Sequence, residues 1–297
     1  MKTKRKLSAA EKSFYALDYV LLLLCSIVVL FPLINVVSQS LSSPESVLAG
    51  RVFLLPKNPT LNTYKLILRN PSILTGYLNS LLYMGVGTTI NIALTLMCAY
   101  PLARKELAGR NLIMFLFTFT MMFSGGMIPT YINIKNLGLI DSRLVMILPS
   151  AMTVWNMILA RTFLMNTIPQ ELYESAGLDG ASDIRVLLSI VIPLSTPIIA
   201  VLVLYYAVGH WNAYFDAMMY LNSQDKFNIQ LVLRNAISNI TAMLNQTNDL
   251  SQQEQSLAVA EASKYAIIVI SILPVMIIYP FVQKHFVKGV MIGSIKG

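Results

Sequence analysis

Six long apolar runs constrain this chain more than any other feature. They lie at residues 17–37, 77–102, 112–134, 144–163, 190–220 and 266–287. A helix needs about 20 predominantly apolar residues to cross the hydrocarbon core of a bilayer. Only 12% of the 297 residues are charged, whereas a soluble domain has about 25%. We therefore predict an all-α, polytopic membrane protein with six transmembrane helices.

Basic residues set the predicted orientation of these helices. Residues 1–13 and the short connection 104–110 are rich in lysine and arginine. Because cytoplasmic loops carry the excess of these residues, both termini and the 104–110 connection are predicted to be cytoplasmic. The same rule accounts for the formal net charge of +8, so no nucleic-acid partner is needed.

The predicted organisation follows from this topology. It comprises a cytoplasmic tail (1–13), a six-helix transmembrane domain (14–287) and a cytoplasmic C-terminal tail (288–297). Within the membrane domain, the polar stretches 38–76 and 221–263 become extracytoplasmic loops, and the first of them is predicted to hold a short helix at 62–68.

The polar stretch 167–193 is predicted to fold as a helix–turn–helix. Thr167 and Gln170 have the spacing of a capping box, which would begin the first helix. Gly177 and Gly180 would end it, because glycine accepts the left-handed conformation at a helix C-terminus.

A second helix would then begin at Ser182 or Asp183. Small residues near the bend would let another protein approach the backbone closely, and Glu174 could offer that partner a charge. These small residues are Ser175, Ala176, Gly177, Gly180 and Ala181.

This stretch resembles the EAA loop of bacterial binding-protein-dependent ABC importer permeases. The family pattern is Glu-Ala-Ala, then a glycine, then an isoleucine two residues before Leu-Pro. Here the same spacing is Glu174-Ser175-Ala176, Gly180 and Ile190-Val191-Ile192-Pro193. Ser175 and Ile192 depart from the pattern conservatively. We call residues 167–193 the EAA-like loop.

Other motifs extend the resemblance over residues 75–297. Trp211-Asn212 resembles a pair in sugar-importer permeases, and residues 289–297 resemble the end of the MalG-type subunit. Phe123-Ser124-Gly125-Gly126 resembles the LplC/YtcP-like branch. The remaining matching segments are 79–81, 99–104, 109–110, 128–131, 137–139 and 168–172.

The resemblance implies a permease subunit in the bacterial cell membrane that forms half of the path of an ATP-driven importer. The implied substrates are sugars or oligosaccharides, with glycans that contain uronic acid among those of this branch. The implied partners are a second homologous permease, two copies of an ATPase that binds ATP and Mg, an extracytoplasmic solute-binding protein and lipid. The implied ATPase-coupling residues are Glu171, Glu174, Ser175, Ala176, Gly177, Asp179 and Gly180.

No group of residues indicates catalysis in this chain. His210 and His285 are isolated in the sequence, there is no GxxxxGK[ST] phosphate-binding loop, and Cys25 and Cys98 form no metal motif. We therefore predict a non-enzyme without its own cofactor or metal. The alternative function is a secondary transporter or channel that acts without an ATPase. Such a protein would have no use for the EAA-like loop.

The fifth run carries a dense group of polar and aromatic residues. Sugars bind flat aromatic faces and hydrogen-bonding side chains, and the group offers both. Asp216 is costly against lipid unless it faces protein or water. An aromatic belt at the membrane interface is the alternative interpretation. The predicted substrate-pathway residues are Tyr206, His210, Trp211, Asn212 and Asp216.

Overall fold

The computed structural model describes the backbone of residues 8–244 and 250–294, and side chains at residues 8, 11–238 and 254–277. All regular structure in these ranges is helical, which confirms the predicted all-α class. The α-helices in chain order are α1 (Ala9–Ser40), α2 (Pro44–Leu48), α3 (Asn62–Leu68), α4 (Pro71–Ala103), α5 (Arg110–Met122), α6 (Met127–Asn136), α7 (Val154–Thr167), α8 (Gln170–Leu178), α9 (Asp183–Val186), α10 (Ile192–Leu194), α11 (Thr196–Trp211), α12 (Tyr214–Tyr220), α13 (Ile229–Leu244) and α14 (Leu250–Ser294).

Several helices are long and apolar enough to cross a membrane. Three of the described helices qualify alone: Glu11–Ser40 of α1, all of α4, and Glu254–Ile277 of α14. Two bent pairs add up to two more spans: α5 with α6, and Asp183–Leu194 with α11. The polytopic membrane fold is thus confirmed, while the count of six remains a prediction.

The bends lie where glycine and proline interrupt the apolar runs. The third run bends by 112° between α5 and α6, at Ser124-Gly125-Gly126. Gly126 has a φ of 84°, which favours a residue without a Cβ. The fifth run bends by 83° at Ser195, between Pro193 and Pro197, which each lack a backbone N–H.

The fourth run differs from the single helix that the sequence predicted. A short 3₁₀ helix, Arg143–Met146, is followed by irregular backbone, and α7 begins only afterwards. Side chains of other helices satisfy part of this backbone. Asn91 Nδ2 donates to the Ser150 carbonyl, and the Thr153 N–H donates to the Tyr206 hydroxyl. Irregular backbone is tolerated in a membrane protein where it is buried in this way.

The polar stretches flanking the runs contain more helix than expected from loops. Helix α3 confirms the short helix predicted at 62–68. The stretch 221–263 holds a 3₁₀ turn, Gln224–Lys226, then α13 and the start of α14. Its Leu, Gln, Ala and Glu residues are good helix formers, although they are too polar to suggest a membrane span. Residues 245–249 lie outside the described residues.

The chain divides into two compact units, and the first consists of residues up to 70 together with 235–272. In this unit the segment after α1 folds back on the end of that helix. Asn35 Nδ2 donates to the Phe53 carbonyl and Ser38 Oγ donates to the Leu54 carbonyl, each at 2.6 Å. These bonds satisfy backbone carbonyls that no helix would pair.

The second unit consists of residues 71–234 and those from 273 onward. Its core is formed mainly by α4, α7 and α11, whose facing residues include the fully buried Ala99, Met157, Ala160 and Leu202. Water exclusion does not hold helices together within lipid, so close van der Waals packing of small residues has to do so. One residue from each group of candidate site residues, Ala176 and Tyr206, belongs to this core.

Candidate functional site

The EAA-like loop folds as the predicted helix–turn–helix, but its first helix begins differently. Thr167 is the last residue of α7, so it does not cap α8. Pro169 occupies the N-cap position with extended backbone. The Gln170 amide donates instead to Glu106 Oε1 at 2.5 Å. The capping-box prediction is therefore wrong, because both of its members are engaged elsewhere.

The bend of the loop is fixed by backbone hydrogen bonds. Gly180 has a φ of +68°. Its N–H donates to the Gly177 carbonyl at 3.1 Å, and the Ala181 N–H donates to the Ala176 carbonyl at 2.9 Å. This pair of bonds is a Schellman motif, which ends a helix at a left-handed residue. The predicted role of Gly180 in ending α8 is confirmed, whereas that of Gly177 is wrong, because Gly177 lies within α8 and has no positive φ.

The second helix of the loop begins as predicted. Ser182 is its N-cap, and its hydroxyl accepts a hydrogen bond from the Arg185 N–H. Asp183 follows as the first residue of α9, where the helix dipole favours a negative charge.

Most of the predicted coupling residues are exposed. Ala176 is buried, and the other six are exposed: Glu171, Glu174, Ser175, Gly177, Asp179 and Gly180. Two large apolar side chains beside the bend are also exposed, Leu178 by 91% and Ile184 by 71%. Sequence reasoning did not single these out, although apolar residues within a polar, charged loop are a usable signal of a binding surface.

His210 lies in the interior of the second unit, only 5% exposed. Its Nε2 is 3.0 Å from Asn91 Oδ1, and the Asn91 amide donates to the Ser150 carbonyl. Gly87 makes room for the ring, since a Cβ built there would lie 2.4 Å from His210 Nε2. The imidazole therefore joins α4, α11 and the irregular backbone of the fourth run.

Tyr206 and Trp211 are similarly buried, at 4% and 1% exposure. The Tyr206 hydroxyl is 2.6 Å from Thr95 Oγ1 and accepts the Thr153 N–H at 3.3 Å. The Trp211 ring lies 5.9 Å from that of Tyr77. Three of the five predicted pathway residues thus face the interior of the subunit in this conformation.

The other two predicted pathway residues, Asn212 and Asp216, are exposed. Tyr214, which lies between them in sequence, is also exposed. Arg234 is exposed as well, and its guanidinium carbon lies 5.8 Å from the centre of the Tyr214 ring. We call Asn212, Tyr214, Asp216 and Arg234 the exposed polar set. Arg234 was not predicted, because it lies in a separate polar stretch and only the fold brings it to Tyr214.

Asp141 binds the segment that follows α12. Its carboxylate accepts hydrogen bonds from the Ser223 hydroxyl and from the Ser223 and Asn222 N–H groups, and it pairs with Lys226 Nζ at 3.1 Å. These donors, Ser223 above all, hold the pKa of the Asp141 carboxyl far below its usual range. The residue has a φ of 56°, a left-handed conformation that aspartate tolerates better than most residues.

The membrane helices and the exposed helix–turn–helix of this spacing together indicate that the chain is a transport permease. The chain belongs to the family of binding-protein-dependent transport system inner membrane components, whose model matches residues 8–292. No similarity described below supports the alternative of a secondary transporter or channel.

Two relatives from Bacillus subtilis (strain 168) are each 40% identical to the chain. One is the polygalacturonan/rhamnogalacturonan transport system permease protein YtcP, aligned over 97% of this chain and 99% of the relative. The other is protein LplC, aligned over 91% and 90%. A solved structure of a bacterial ABC transporter involved in the import of the acidic polysaccharide alginate has a chain that is 33% identical. The match covers 95% of this chain and 100% of that chain, with a TM-score of 0.82.

Proposed function

We propose that this permease subunit forms half of the translocation path of an ATP-driven importer in the bacterial cell membrane. Its partners are a second homologous permease, two copies of an ATPase and an extracytoplasmic solute-binding protein. The termini and the EAA-like loop face the cytoplasm. ATP and Mg bind to the ATPase, and this chain provides no catalytic group or cofactor.

The observation that carries this proposal is the exposed surface of the EAA-like loop. Helix α8 presents Glu171 and Glu174 to solvent, and the bend at Gly180 is fixed by its backbone bonds. Leu178 and Ile184 supply apolar area beside these charges. A surface with an apolar centre and charged neighbours is suited to a protein partner.

The test of this proposal is a charge reversal at Glu174. In a reconstituted complex, Glu174→Lys should abolish ATP hydrolysis stimulated by the binding protein, because a basic group on the ATPase would meet a lysine. Glu45→Lys reverses another exposed glutamate, outside the loop, and should leave stimulation unchanged. Normal stimulation in Glu174→Lys would contradict the docking role.

We further propose that the substrate is an oligosaccharide that carries carboxylates. Arg234 and Tyr214 place an exposed cation over an exposed aromatic ring. Sugar rings stack on aromatic faces, and a guanidinium binds carboxylates through paired hydrogen bonds. One relative is named for transport of polygalacturonan and rhamnogalacturonan, and the solved transporter is involved in the import of the acidic polysaccharide alginate. Asn212 adds a neutral hydrogen-bonding group to the same set.

Uptake by proteoliposomes tests this substrate class. Arg234→Gln should lower uptake of oligogalacturonides by more than that of a neutral oligosaccharide of equal length, because only the acidic sugar loses an ionic partner. Lys135→Gln removes an exposed positive charge elsewhere and serves as the control. Equal losses for acidic and neutral sugars would remove Arg234 from recognition.

A further inference from the structure

Arg104 lies where α4 meets the EAA-like loop. It follows Ala103, the last residue of α4, in the short basic connection to α5. From this position its side chain makes three polar contacts. Arg104 NH1 donates to Asp183 Oδ1 at 2.9 Å and to the Tyr100 hydroxyl at 3.1 Å, and its Nε donates to Glu106 Oε2 at 3.3 Å.

The contact with Asp183 joins the end of α4 to the beginning of α9. A cation just past the C-terminus of one helix and an anion in the first turn of another are both favoured by the helix dipoles. The pair therefore defines one relative placement of the two helix ends.

The contacts with α8 are of two kinds. The Arg104 guanidinium carbon lies 4.9 Å from the centre of the Tyr173 ring, within the range of a cation–π interaction. Glu106 accepts from Arg104 through one carboxylate oxygen and from Gln170, the first residue of α8, through the other. Arg104 thus reaches both helices of the EAA-like loop.

Stability alone does not explain this arrangement. The Asp183 side chain is 79% exposed, and an ion pair so accessible to water adds little to the free energy of unfolding. The planar guanidinium instead offers donors in fixed directions as well as a face for stacking. Such a group is suited to holding several segments at set distances.

Helix α4 continues from this junction to the buried contacts of the second unit. The same helix carries Asn91 and Thr95, which bind His210 and Tyr206 of α11. A displacement of the EAA-like loop that moved Arg104 would therefore act on the helix at the centre of the core.

We propose that Arg104 is a positioning residue that holds the EAA-like loop against α4, so that motion of the ATPase is passed to the membrane helices. This inference rests on the proposed coupling to an ATPase. It assigns to Arg104 no contact with substrate or nucleotide.

The test compares Arg104→Gln with Lys105→Gln in the reconstituted complex with ATPase, partner permease and binding protein. Lys105 is the adjacent, exposed residue, and its substitution removes the same charge. Arg104→Gln should assemble and retain basal ATP hydrolysis, while substrate transported per ATP falls at least about fivefold, the lower end of usual coupling factors. Lys105→Gln should match the wild type.

Two further variants separate positioning from charge. Arg104→Lys keeps the charge without the planar fork and should recover only part of the coupling. Asp183→Asn should uncouple by itself and add little to Arg104→Gln, because interacting residues are not additive.

The outcomes distinguish the positioning role of Arg104 from the proposed function. Wild-type coupling in Arg104→Gln, or loss of complex assembly in that variant, would overturn the positioning role. Failure of the wild-type chain to associate with any ATPase would instead overturn the proposed function.

Discussion

Helices α4 and α11 approach each other closely at Gly87, so we expect a larger side chain at this position to destabilise the packing. A Cβ at position 87 would lie 2.4, 2.6 and 2.9 Å from three atoms of the His210 ring. The ring is buried and bonded to Asn91, so it has little freedom to move. Gly85 lies on the same helix, and nothing lies within 4 Å of a Cβ built there. Gly85→Ala is therefore the matched control for Gly87→Ala.

The magnitude follows from these contacts. Overpacking a filled site costs about 1–3 kcal/mol. A displaced ring would also lose its bond to Asn91, and a side-chain hydrogen bond between membrane helices contributes about 0.6 kcal/mol on average. Both substitutions raise the helix propensity by the same amount. The difference in unfolding free energy between the two variants therefore reports the clash alone. We expect Gly87→Ala to be less stable than Gly85→Ala by about 2–3 kcal/mol.

Unfolding of the purified chain by a denaturing detergent in mixed micelles measures this difference. The same two glycine variants are then measured in a His210→Ala background, which removes the ring. There, the cost of Gly87→Ala should fall to that of Gly85→Ala. Equal stability of the two glycine variants, or a cost that persists without the ring, would refute the packing of His210 against Gly87.

Two other predictions concern exposure and charge. In a background without cysteines, a water-soluble thiol reagent should label cysteines placed at Asn212 and Asp216 and should spare one at Tyr206, because only the first two are exposed; strong labelling at Tyr206 would indicate that α11 opens toward water. Asp141→Asn should destabilise the chain at neutral pH, because the native carboxylate has a lowered pKa. The difference in unfolding free energy between wild type and variant should stay constant from about pH 8 to about pH 5 and narrow only below about pH 4, where the Asp141 carboxyl of the unfolded wild-type chain takes up a proton. A difference that changes near neutral pH would point to another group.

Local backbone chemistry was predictable from the sequence, whereas pairing between distant segments was not. The bend at Gly180 and the cap at Ser182 follow from residues whose conformational preferences are strong. The capping box failed because Gln170 binds Glu106, a partner 64 positions away. The irregular fourth run was missed because its backbone is satisfied by side chains of α4 and α11, which hydropathy does not reveal.

The same limit applies to the candidate site. The aromatic and polar composition of the fifth run identified a group worth attention, but it did not tell which members face the interior. Tyr206 and Asn212 are close in sequence, yet one is buried and the other exposed. Arg104 joins α8 and α9 only through tertiary contacts, so no local pattern indicated its position.

The proposed function requires that this permease subunit binds an ATPase through the EAA-like loop. The most direct measurement is site-specific cross-linking in membranes of the native bacterium, from a photoreactive residue placed at the exposed Leu178, followed by mass spectrometry of the product. We predict a cross-link to an ABC ATPase that is lost in Glu174→Lys and kept in Glu45→Lys. An intact, correctly inserted chain whose Leu178 is cross-linked only to lipid or to a protein without an ATPase fold would contradict it.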